Sequence, residues 1–328
     1  MKNQNVRDAG DVEYQMNTKK LTYKYNDKEN LKEIRKIWDD IFNDTVGFTN
    51  YYFNVVCKEN RVFTVCDNNK VIGMIHCNPY KILVNNTPED AVYIVGVAVL
   101  PEYREKGIMK EMLKCALKDM KSRGIKLAFL MPENENYYIG SGFSKVISNY
   151  DYKIIIPTHE IEQNIITTVS VERMNDKEKN DLTVKINNYL DSKYDIFCER
   201  NSNYFDKIVA EAQAQNGNAE ILVRQNEIIC FFSYCIYDGC MYIERFIIFN
   251  NNDADFIIGF IISKAKKLKC DCIKMINISD NAALLESVLN LNNICYEKKN
   301  GKGYMVYNFF NNNYHKNRQK KYYYDEIV

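Results

Sequence analysis

The segment Val97-Ala98-Val99-Leu100-Pro101-Glu102-Tyr103-Arg104-Glu105-Lys106-Gly107-Ile108-Met109 carries the clearest chemical pattern in the chain. It reads as a buried strand, a proline stop, a loop of the form Arg-x-x-Gly-x-Met and the start of a helix. The first N–H groups of a helix have no partner inside it, and the aligned peptide dipoles place partial positive charge there. A loop feeding such an end turns backbone donors toward one point, here from Arg104, Glu105, Lys106, Gly107, Ile108 and Met109. That arrangement suits a phosphate or pyrophosphate. Gly107 lets an anion approach the backbone without a Cβ in the way, and Arg104 and Lys106 add charge at the rim. An ordinary strand–helix junction uses the same residue types, so the loop alone leaves both readings open.

The elements around it narrow the choice. The chain has 328 residues, 46% of them hydrophobic, enough for a sizeable core and two domains. A formal net charge of +1 gives no global field for nucleic acid or an anionic membrane. The basic run 315–321 reads as part of a solvated polar tail spanning 311–328. The longest clean apolar run, 91–100, is about half of what a membrane helix needs. Residues 1–17 are polar and read as a flexible arm rather than a secretory signal, with Met16 as an alternative start. Eleven cysteines sit mostly in apolar runs, with spacings of neither a zinc ribbon nor a disulfide framework. Buried, reduced thiols in a cytoplasmic protein are the expectation. The three histidines, His76, His159 and His315, stand apart from clustered carboxylates, so no metal site is expected.

The order of elements occurs twice. In 18–156, a strand (21–25), a helix (30–42), a hairpin (61–76, turning at Asn68-Asn69), a buried strand (91–100), a helix (105–121), a strand (125–131), a short helix (133–139) and final strands (143–156) follow one another. In 157–310, a hairpin turns at 225–227, and a buried strand (241–249), a helix, a strand (272–276), a helix (281–291) and a closing strand (304–309) repeat the sequence of types. The expected fold is α/β with a mixed sheet in each of two tandem units, divided near Ile156-Pro157.

The loop, the repeat and the segment Asn136-Tyr137-Tyr138-Ile139-Gly140-Ser141-Gly142-Phe143 together resemble the GNAT family of acyl-CoA-dependent N-acetyltransferases. Within it they are similar to the Eis (enhanced intracellular survival) branch, which joins two GNAT folds. The family loop is Arg/Gln-x-x-Gly-x-Gly/Ala, and Met109 departs from it at the last position. The resemblance covers about residues 20–156. Over 157–310 it is architectural, and the third, sterol-carrier-like domain of that branch has no room here.

The resemblance implies acetyl-CoA as co-substrate, no metal, and direct transfer to a primary amine on a small molecule or peptide. It puts the pyrophosphate on the backbone of 104–109 and the pantetheine arm beside Val97 and Val99, paired like a short strand. It makes Tyr138 the acid that protonates the departing thiolate, with Tyr137 as the alternative. A phenol (pKa about 10) keeps its proton at neutral pH, where a thiol (about 8.5) is the stronger acid. No Glu or Asp stands on the strand 93–100, so the base stays open among Glu133, Glu135, His76 and a water chain. Trp38, Tyr51, Tyr52 and Phe53 could wall an acceptor cleft. A homo-oligomer stays open as well. In the second unit, Asn252-Asp253-Ala254-Asp255-Phe256-Ile257 falls where Arg104 to Met109 stand, and Leu285 where Tyr138 does, so a degenerate, silent unit is expected. A non-catalytic CoA-binding scaffold and an aminoacyl-tRNA-dependent peptidyl transferase are the competing readings.

Overall fold

The computed structural model describes residues 12–13, 21–25, 29–158, 166–279, 281–310 and 321–325. Most of the expected arm 1–17 (Met16 included), His159, and the tail residues 311–320 (His315 included) and 326–328 lie outside the described residues.

The chain runs β1 (Val12–Glu13), β2 (Leu21–Tyr25), α1 (Leu31–Ile41), α2 (Val46–Asn54), β3 (Arg61–Asp67), β4 (Lys70–Val84), β5 (Thr87–Val99), α3 (Ile108–Ser122), β6 (Leu127–Leu130), α4 (Asn136–Ile139), β7 (Ser144–Ile147) and β8 (Tyr150–Ile155). It continues with β9 (Thr167–Ser170), α5 (Asp176–Asp191), β10 (Ile196–Cys198), α6 (Ser202–Ala214), β11 (Asn218–Arg224), β12 (Glu227–Tyr237), β13 (Cys240–Ile248), α7 (Ala254–Lys267), β14 (Cys272–Ile278), α8 (Ala282–Leu291), β15 (Tyr296–Asn300), β16 (Tyr304–Asn308) and β17 (Tyr322–Tyr323). The fold is α/β with two mixed sheets, as expected from the sequence.

The first sheet has the order β1-β2-β3-β4-β5-β6-β16-β7, with β10 and β17 added beside β4. The second is β15-β8-β14-β13-β12-β11-β9. Helix α3 lays Ile108, Met112, Leu113, Ala116 and Met120 on one face of the first sheet, against Val65, Ile75, Val92 and Ile94. Helices α1 and α2 cover the other face through Ile34, Trp38, Phe48 and Tyr52. The β3–β4 turn has Asn68 and Asn69 at φ 48° and 69°, the left-handed conformation that asparagine tolerates.

The division near Ile156-Pro157 separates the chain but not the sheets. Strand β8, expected to finish the first unit, pairs with β14 and β15 in the second sheet. Strand β16, expected to close the second unit, enters the first sheet between β6 and β7. Tyr152 and Ile154 of β8 are buried in the second core, while Tyr304, Met305 and Val306 of β16 are buried in the first sheet's cores. Either placement buries the same alternating side chains, so periodicity cannot choose between the sheets.

Two further expectations are corrected. Residues 321–325 of the expected solvated tail pack into the fold. Strand β17 pairs parallel with β10, Tyr324 stacks on Phe129 with ring centroids 4.5 Å apart, and Asp325 forms a buried ion pair with Arg200. Nine cysteines are free thiols, but Cys240 and Cys272 form a disulfide. They are direct partners at the start of β13 and β14, a register that the wide sequence spacing conceals.

Candidate active site

Strands β5 and β6 run parallel and pair at only three positions, Ala91 with Leu127, Val92 with Ala128 and Tyr93 with Phe129. Beyond Tyr93 they diverge. A cleft of about 240 Å3 opens there, lined by Tyr93, Val95, Gly96 and Val97 on one side and Leu130, Met131, Glu133 and Tyr138 on the other. The edge of β5 that carries Val97 and Val99 is therefore not paired with β6.

A bulge in β5 shapes this wall. His76 opposes Val95 and Met74 opposes Ala98, so Ile75 faces both Gly96 and Val97. Gly96 has φ +59°, and a Cβ there would lie 2.4 Å from the Trp38 ring. Only glycine satisfies both conditions.

The phosphate-type loop follows. Glu105 (φ 63°) and Gly107 (φ 75°) are left-handed, and α3 starts at Ile108 rather than at Glu105 as expected, because those two residues curl the chain away from helix. The first helical hydrogen bond runs from Glu111 N–H to the Gly107 carbonyl at 3.1 Å, so the N–H groups of Ile108, Met109 and Lys110 precede the ladder. Nothing lies within 4 Å of where a Gly107 Cβ would be. Arg104 Nε donates to the Val99 carbonyl at 3.0 Å, and Lys106 Nζ to the Glu102 carbonyl at 2.7 Å. Both rim cations thus brace the loop. Ile108 is buried and Met109 half-buried against the first core.

Tyr138, on α4, lines the cleft and is 8% exposed, whereas Tyr137 is 61% exposed. Burial pushes the Tyr138 phenol up to about 12, so it holds its proton across the neutral range. The far side of the cleft is aromatic and acidic. Trp38, Phe42 and Phe48 surround Asp44, whose carboxylate accepts from Trp38 Nε1 at 2.9 Å. Burial raises the Asp44 carboxyl above its usual range, and the Trp38 hydrogen bond and Lys302 partly offset this.

Of the other sequence candidates, Glu133 lines the cleft and pairs with Lys302, while Glu135 pairs with Lys145 at 2.6 Å. His76 is fully buried beneath Trp38, outside the cleft lining, and burial lowers it to about 3. Tyr52 and Phe53 pack against Trp38, and Tyr51 lines a different cavity. Sequence reasoning missed Asp44, which sits in an unremarkable Asn-Asp-Thr stretch, and Lys302, which arrives only through the strand exchange.

The second sheet repeats the parting of parallel strands beside a helix, with different residues around it. β13 and β14 pair from Cys240–Cys272 to Ile243–Met275 and then part. At the start of α7 no glycine stands, and the buried Asp253 carboxylate occupies the helix end, held by Arg224 at 2.8 Å. Leu285 is buried in α8, the counterpart of α4. Tyr323, Tyr324 and Asp325 line the place where the strands part, leaving a cavity of only about 30 Å3.

The model of the Acetyltransferase (GNAT) domain matches residues 22–146, the stretch that holds cleft, loop and Tyr138. This segment is a GNAT acetyltransferase domain. Acyl-CoA is the co-substrate of that family, and acyl transfer its chemistry. Solved structures share the architecture over most of the chain. A probable N-acyltransferase from Enterococcus faecalis has TM-score 0.66 at 17% identity, covering 88% of this chain and 72% of its own. Eis1 from Mycobacterium abscessus gives 0.58 at 12%, covering 87% and 72%. The Saccharomyces cerevisiae N-myristoyltransferase with bound myristoyl-CoA gives 0.61 at 10%, covering 94% and 87%. Identities this low speak to fold alone. The sequences of curated proteins contain no match. Among the described residues no helix is long and apolar enough to cross a membrane.

Proposed function

We propose that this chain moves an acetyl group from acetyl-CoA directly to a primary amine, at one site in the cleft between β5 and β6. The observation that supports this reading is the divergence of those strands beside a buried tyrosine, with the glycine loop 104–109 following the end of β5. The pyrophosphate would rest on the backbone N–H groups of 104–109, and the pantetheine would lie along the open edge of β5 at Val97 and Val99.

The amine enters from the side of Trp38 and Asp44. A neutral amine attacks the thioester carbon, a C–N bond forms and the C–S bond breaks. Tyr138 gives its proton to the leaving sulfur. Asp44 takes the proton lost by the amine, because it is the carboxylate of the cleft that accepts from Trp38 Nε1 rather than from a lysine ion pair, and its raised basicity suits the task. An acidic, aromatic mouth favours a cationic acceptor. A cytoplasmic setting belongs to the same proposal, with nine free thiols in its favour and the Cys240–Cys272 disulfide against it. The second unit would complete the fold and leave the donor to the first.

The test is acetyl-CoA-dependent thiol release with a panel of primary amines. Turnover on at least one amine, lost in Tyr138→Phe, is the expected result. Wild type and variant equally slow on every amine would refute the catalytic reading.

A further inference from the structure

The acyl cleft opens where β5 and β6 cease to pair. Their last pair, Tyr93 with Phe129, carries two stacked rings with centroids 5.0 Å apart and planes 28° apart. Tyr93 lines one wall of the cleft, and Leu130 and Met131, which follow Phe129 directly, line the other. Phe129 is fully buried and stacks a second time, on Tyr324, with centroids 4.5 Å apart and planes 12° apart. Stacked rings constrain each other's orientation as well as burying area. Removing the Tyr324 ring would leave a void beside Phe129, into which Phe129 and Tyr93 could relax.

Tyr324 is itself held firmly. It belongs to the segment 321–325, which is tied to 194–200 of the second unit. Lys321 gives its backbone N–H to the Asp195 carboxylate at 2.8 Å, and its carbonyl accepts from the Asp195 N–H at 2.9 Å. Tyr322 and Tyr323 pair with Ile196 and Phe197, and the Tyr323 ring packs on Tyr194 with centroids 5.0 Å apart. Asp325 closes the segment through its buried ion pair with Arg200 and accepts from the Tyr323 hydroxyl at 3.2 Å. A strand this short does not hold by ladder pairing alone, so these anchors at its two ends fix the ring between them.

We propose that Tyr324 is a positioning residue for acyl transfer: anchored on the second unit, it fixes the Tyr93–Phe129 pair and so the point where the cleft walls part. This rests on the reading of the β5–β6 cleft as the site of acyl transfer. Misplacing reacting groups by about 1 Å can cost about 10²-fold in rate, so a ring remote from the thioester is felt in kcat. Donor binding is spared, because the loop at 104–109 follows the far end of β5, and its Ile108 and Met109 pack in a different core from Phe129 and Tyr324.

The experiment compares Tyr324→Leu and Tyr324→Phe with the wild-type full chain. It measures acetyl-CoA-dependent thiol release, CoA affinity by calorimetry and backbone hydrogen exchange by mass spectrometry over 93–97 and 129–133. Tyr324→Leu should lower kcat about tenfold or more, speed exchange in both segments and leave CoA affinity unchanged. Tyr324→Phe, which keeps the ring, should restore all three values. Should the Leu variant fold poorly, Asp195→Ala, which loosens only the start of the segment, should give the same pattern in weaker form. Unchanged kcat and exchange in Tyr324→Leu, equal losses in the Phe and Leu variants, or CoA affinity falling in step with kcat would overturn the proposal. A wild type that turns over no amine would refute the acyl-transfer reading instead, while the exchange comparison still decides whether Tyr324 fixes the parting of the strands.

Discussion

Tyr138 and Asp44 face one cleft from opposite sides, and burial pushes both toward the protonated form. In the proposed reaction this leaves the tyrosine a proton to give and makes the aspartate a stronger base. Replacing Tyr138 by Phe keeps the ring packed against Phe143 and removes only the hydroxyl. Steady-state kinetics should show kcat reduced about 10²- to 10⁴-fold, with the KM for acetyl-CoA little changed. Asp44 must be ionised to accept a proton, so activity falls as pH drops through its pKa. Because that pKa is raised, the acidic limb of the kcat/KM profile should lie above the ordinary carboxylate range. Asp44→Asn should lower kcat/KM about 10²-fold and abolish that limb; a limb left in place would assign it to another group.

At the scale of elements, two glycines at positive φ build the site, and they should fail differently when changed. Gly107→Ala meets no neighbour, so its effect is conformational, about 1–2 kcal/mol at one left-handed residue. CoA affinity should suffer more than the fold. Gly96→Ala adds a collision with Trp38 to the same backbone cost, and denaturant unfolding should show a loss of about 3 kcal/mol. Gly107 was legible in the sequence because a loop glycine before a helical stripe has few other uses. Gly96 was not, because inside an apolar strand nothing marks a bulge until the partner strand is seen. The β5–α3–β6 order and the helix faces could be read from local periodicity. The partners of β8 and β16 could not, since they are set by pairing across more than a hundred residues. The same holds for Asp44, whose role depends on a fold that brings α1 and α2 over the end of β5.

For the whole molecule, the exchange of β8 and β16 makes the two units mutually dependent. Residues 18–156 produced alone would lack β16, leaving the edges of β6 and β7 open, and would expose Tyr152 and Ile154 of β8. Such a fragment should be insoluble or associate, as judged by sedimentation, and a cooperative monomer would contradict this picture. The repeat also offers two places where parallel strands part beside a helix, yet only the first presents a glycine loop and an open cleft. At the second, Asp253 holds the helix end and Tyr323 to Asp325 line the gap. Calorimetric titration of CoA into the full chain tests this asymmetry most directly. One CoA per chain is predicted, weakened by Gly107→Ala and unaffected by Asp253→Asn; two per chain, or binding lost only in the Asp253 variant, would contradict it.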